Sequence, residues 1–170
     1  MPGLVSLIPT SYDRDGTALS AEADAVRKSA VAVRESMEQS IVLFGEQRRC
    51  ISDILNVAAE HAESGWDGEG ANPVSPLAVD RAIAFIRALP RSFPMPEVAP
   101  EPDGSISLDW IHAHSRIFSV SVGSSDRLAF AWIDGTDRGH AVARFDGDRI
   151  PPLVIEQIRE TMGHASVRAA

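Results

Sequence analysis

The stretch that decides the fold runs from Asp103 to Trp132. It opens with Asp103-Gly104-Ser105-Ile106-Ser107-Leu108-Asp109-Trp110, continues through Phe118-Ser119-Val120-Ser121-Val122, and closes with Leu128-Ala129-Phe130-Ala131-Trp132. Large apolar residues alternate with small or polar ones in all three pieces, the period of a strand that buries one face. Turn residues at 112–115, 123–126 and 134–139 separate the pieces, and Ala141, Ala143 and Phe145 predict one more strand. Connections of this length leave no room for parallel crossovers, so the strands form an antiparallel meander of four to five members. Shared parity puts Trp110, Phe118, Phe130 and Trp132 on the covered face.

Immediately upstream, Pro90, Pro94, Pro96, Pro100 and Pro102 make a stiff connector. The residues between Pro96 and Pro100 can form only an edge strand, because proline has no N–H to give to a ladder. Before that, Ser75 as N-cap and Pro76 at the first helical position open a helix to Leu89, with Val79, Ala82, Ile83, Ile86 and Leu89 as its apolar stripe. After the sheet, Pro151 and Pro152 start a final helix with Ile155, Ile158 and Met162 as a stripe and Gly163 as its stop. The class is α+β, with helices packed on one face of the sheet.

Residues 1–19 show no periodicity and read as a flexible N-terminus. Residues 20–64 read as a helical arm or a helical hairpin bent at Gly45, with Val26, Ala30, Val33, Met37, Ile41 and Phe44 at spacings of three and four, then Ile51, Leu55, Ala58 and Ala62. Residues 65–170 would then be an α+β domain able to stand alone. A stripe of this kind needs a cover, so Val26, Val33, Met37, Ile41 and Phe44 are expected to bind a partner or a second copy through the N-terminal helices.

The 170 residues carry a net charge of −8, split evenly about Ser64. That balance disfavours nucleic acid and anionic membranes and favours a basic protein partner. A single cysteine, Cys50, permits no internal disulfide, and the sequence shows neither a signal peptide nor a membrane span, so a cytoplasmic location is expected. Lys28 is the only lysine beside fifteen arginines, as in GC-rich bacterial genomes.

Trp66-Asp67-Gly68-Glu69-Gly70-Ala71-Asn72-Pro73, followed by the helix to Leu89 and the run from Asp103 to Trp110, resembles small uncharacterised bacterial proteins with a Trp-Asp-Gly-x-Gly-Ala-x-Pro signature. The resemblance covers about the last hundred residues. It implies an α+β fold, a bacterial origin and a setting among mobile-element or phage-defence genes, and it carries no catalytic residue with it.

Within that loop, Trp66 reads as an anchor to the core, while Asp67 and Glu69 could meet a cation or a partner's arginine. No glutamate closes a cation loop, and no metal or cofactor is expected. His112, His114 and His140 lack a recognised ligand spacing, and the sheet serines lack a nucleophile turn. Cys50 reads as a small buried residue, and Asp146 and Asp148, like Asp134 and Asp137, as turn residues. The chain therefore reads as a non-enzymatic, cytoplasmic protein-binding or accessory protein, antitoxin-like or from a defence locus. The alternative is a small hydrolase working through carboxylates and histidines.

Overall fold

The computed structural model describes residues 45–163 together with Lys28 and Val31, which are both helical. The chain divides into two compact units, residues 1–39 and 40–170, and the sheet belongs to the second. Val26, Val33, Met37, Ile41 and Phe44 lie outside the described residues.

Within the second unit, helix α1 covers 45–60, α2 spans Pro76–Ala88 and α3 spans Pro152–Met162. Between the last two run β1 (Glu97–Pro100), β2 (Ile106–Ala113), β3 (Arg116–Val122), β4 (Arg127–Asp134) and β5 (Asp137–Arg144). The five strands form one antiparallel sheet in the order β1-β2-β3-β4-β5. This is the α+β meander expected, with the proline-bounded strand at the edge. The hairpins are tighter than composition suggested: only Gly135 and Thr136 separate β4 from β5, and Gly135 supplies a φ of 63°. Positive φ is cheap only for glycine, which is why this turn closes so quickly.

All three helices cover the same face of the sheet. Ile106, Leu108, Trp110, Phe118, Val120, Val122, Leu128 and Phe130 point into a core completed by Phe85 and Ile86 of α2, Val154 and Ile158 of α3, and Phe145. Trp110 is buried and its Nε1 donates to the Pro94 carbonyl at 2.9 Å, so the indole leaves no polar atom unmet. Trp132 shares that face but is only half-buried, and its ring lies over Gly139, directly across the β4–β5 ladder.

Two stripes sit differently from their expected faces. In α2 the buried set is Ala78, Ala82, Phe85 and Ile86, while Val79 and Ile83 are half-buried. In α3 it is Val154, Ile158 and Thr161, with Ile155 and Met162 half-buried. α2 has rolled so that Phe85 packs edge-on against Phe145 with ring centroids 5.7 Å apart.

The independent domain expected from residue 65 onward is corrected by α1. Cys50 and Ile54 are buried members of the same core, and Gln47 Nε2 donates to the Ile86 carbonyl at 2.8 Å. The second half of the expected arm is thus a core helix, because its spacing of four between Cys50 and Ile54 presents one narrow stripe to the α2 side of the core.

Candidate functional site

The helices α1 to α3 do not cover the other face of the sheet, on which Ser105 and Ser107 are nevertheless buried, and the ladder registers give its layout. One row runs Ile111, Ile117, Ile133 and Arg138 across β2 to β5. The next runs Glu97, Asp109, Ser119, Ala131 and His140, and the one after it Ala99, Ser107, Ser121, Ala129 and Val142. Arg127 and Arg144 face each other beyond these, with Glu101 and Ser105 on the β1–β2 side. Ile111, Ile133 and Val142 are 48%, 41% and 51% exposed, although their neighbours in the core face are buried. The face is therefore small in the middle, aliphatic at one end and charged at its two edges.

A ladder of hydroxyls and carboxylates stiffens the β1–β3 side. Ser105 Oγ lies 2.6 Å from Glu101 Oε2 and 2.5 Å from Asp103 Oδ1, and Ser121 Oγ donates to Glu101 Oε2 at 2.7 Å. One row away, Ser107 Oγ donates to Asp109 Oδ1 at 2.8 Å, and Ser119 Oγ donates to the same oxygen. Bonds from hydroxyls to carboxylates are strong because the acceptor is charged, and here they tie three strands together through side chains as well as backbone.

Ser119 and His140 do not form a nucleophile–base pair. Ser119, Ala131 and His140 share one row, so His140 sits two strand spacings, about 10 Å, from the Ser119 backbone. General-base catalysis needs contact within about 3 Å. His112, His114 and His140 are all exposed, and among the described residues no group of three His, Cys, Asp or Glu side chains converges to hold a metal ion.

The Trp66 loop is held by its own atoms. Trp66 Nε1 donates to the Asn72 carbonyl at 3.0 Å, and its ring stands edge-on to His61 with centroids 4.5 Å apart. The indole thus closes the loop from outside and does not anchor it in the core. Asp67 Oδ1 accepts the backbone N–H of Glu69 at 2.8 Å and of Ala71 at 3.0 Å, and these two bonds, Ala71 first, hold its carboxyl below the usual range. Gly68 and Gly70 take φ of 79° and 96° so that the amides can turn inward. Asp67 is committed to the loop, and Glu69 is left exposed. Asp146 does the same in its turn, accepting from Asp148 and Arg149.

Cys50 is 3% exposed, and burial, with Asp53 as a lesser cause, pushes its thiol up to about 11. A thiol held neutral is a poor nucleophile. Its Sγ lies 4.0 Å from the Pro96 carbonyl.

The aliphatic row on the uncovered face is a feature that sequence reasoning missed. Its signal was present in the odd positions of β2 to β4, where Ile111, Ile117 and Ile133 replace the serines and alanines expected of a wet face. No helix among the described residues is long and apolar enough to cross a membrane. The chain matches no protein-family model, no curated protein and no solved structure.

Proposed function

We propose that this chain is a non-enzymatic protein-binding protein that receives its partner on the open face of the sheet. The observation that carries this reading is the exposed Ile111, Ile133 and Val142, with the half-buried Ile117 between the first two, on a face that no described helix covers. Aliphatic side chains left in water beside a flat floor of serine and alanine let a partner approach the strands closely, and covering them is favourable by about 25 cal/mol per Å². The resemblance carried by Trp66 to Pro73 supports a partner from a defence locus and an accessory or antitoxin-like role.

The test uses the full chain immobilised and exposed to a lysate of its host. Proteins retained by the wild type should be lost with Ile133→Glu, which places a charge at an exposed position without opening the core. Equal retention by both, from a chain that is also monomeric, would overturn the reading.

A further inference from the structure

The open face carries its charges on opposite sides. Glu97, Glu101 and Asp109 lie along β1 and β2, while Arg127, Arg138 and Arg144, with His140, lie along β4 and β5. Between them β3 contributes the uncharged Ile117, Ser119 and Ser121. The basic side also holds Asp126, whose Oδ2 lies 2.8 Å from Arg144 Nε.

We propose that the occupant of this face is a second copy of the same chain, related by a two-fold axis parallel to β3; the inference rests on the docking reading above and names its partner. Two sheets packed face to face can be related by an axis in the plane between them, running either along the strands or across them. Across the strands, β1 would lie over β1 and the acidic sides would meet. Along β3, rotation places β1 over β5 and β2 over β4, so each acidic side meets a basic one.

The register then pairs the rows without further adjustment. Glu97 of one copy faces His140 of the other, and Glu101 faces Arg144 at a shallow hollow lined by Asp126, Arg127, Val142, Ala143 and Arg144. Ile111 meets Ile133, and Ile117 meets itself on the axis. Aliphatic thus lies on aliphatic along the isoleucine row and Glu101 on Arg144, while Asp109 lies on Ala131 and Ala99 on Val142. Five strands about 4.8 Å apart and about seven residues long offer roughly 500 Å² per copy, or about 1,000 Å² in all, the lower bound for a specific interface. Small side chains over most of the floor allow the sheets to approach more closely than the usual 10 Å or so, at the aligned angle of stacked sheets.

Sedimentation equilibrium of the full chain should give twice the 18.3 kDa of one copy. His140→Glu should weaken the dimer at least about tenfold by facing Glu97, and Glu97→Arg combined with His140→Glu should restore it to within about threefold. Both positions are exposed, so neither change threatens the core. Ile117→Cys should cross-link to itself through a short bis-maleimide, whereas Val142→Cys, two strands off the axis, should not; Cys50 is buried and stays silent. A monomeric chain, an unchanged dimer in His140→Glu, or self-cross-linking at Val142→Cys would overturn the proposal. If the chain is monomeric and Ile133→Glu still strips proteins from the immobilised chain, a different protein occupies the face, and only the second copy is wrong. If Ile133→Glu also changes nothing, the docking reading falls with it.

Discussion

Gly104 and Pro73 touch so closely that a Cβ on Gly104 would lie 2.7 Å from the Pro73 carbonyl oxygen. The contact belongs to a small junction: Ser75 N donates to the Gly104 carbonyl at 2.9 Å, and Asn72 N to the Pro102 carbonyl at 2.9 Å. The Trp66 loop is thereby stitched to the β1–β2 turn by backbone alone.

Gly104→Ala should therefore be among the most damaging small substitutions in the chain. It adds a clash with backbone, which cannot swing aside, to the strain of a φ of 87°. The expected loss is about 2–4 kcal/mol in denaturant unfolding, against about 1 kcal/mol for Gly68→Ala, whose φ is 79° but whose surroundings are open. Equal losses would show that strain alone matters.

Ile54 is fully buried in α1, so truncation after residue 63 should yield an aggregating fragment, not an independent domain. Ile54→Ala in the full chain should cost about 2–5 kcal/mol. A soluble, cooperatively melting 64–170 fragment would show that α1 is dispensable.

The two sheet tryptophans should differ. Trp110→Ala removes a buried ring and orphans the Pro94 carbonyl, for a loss of about 3–5 kcal/mol. Trp132→Ala removes a half-buried ring that packs on Phe130 and Gly139, and should cost clearly less. Chemical denaturation of the two variants side by side gives the order.

Cys50 should make stability fall in alkali. Its folded thiol is raised to about 11 from an ordinary value of 9.0, so the folded state holds the proton more tightly than the unfolded chain. The contribution is complete below the unfolded value and is lost as pH rises from about 9 through about 11. Cys50→Ala should flatten that part of the stability profile, and native Cys50 should resist alkylation at neutral pH until the chain is unfolded.

The sheet was legible because its code is local. Alternation in Ile106 to Trp110, Phe118 to Val122 and Leu128 to Trp132 fixes which side chains share a face, and Asp103-Gly104 fixes a turn, whatever lies elsewhere in the chain. The roll of α2 onto Phe85 was not legible, since Val79 and Ile83 make an equally good stripe until the position of Phe145 is known. The carboxylate ladder was hidden for a similar reason. Glu101 and Ser121 are twenty residues apart and meet only because β1 and β3 flank β2.

The sequence by itself determined the class, the order of the strands and the face each one buries, because those follow from side-chain period and chain connectivity. Only the tertiary structure decided that α1 is core rather than arm, and that the far face is divided into an acidic and a basic side around an aliphatic row. Those properties depend on which strands are neighbours and in what register, and no single segment contains that information.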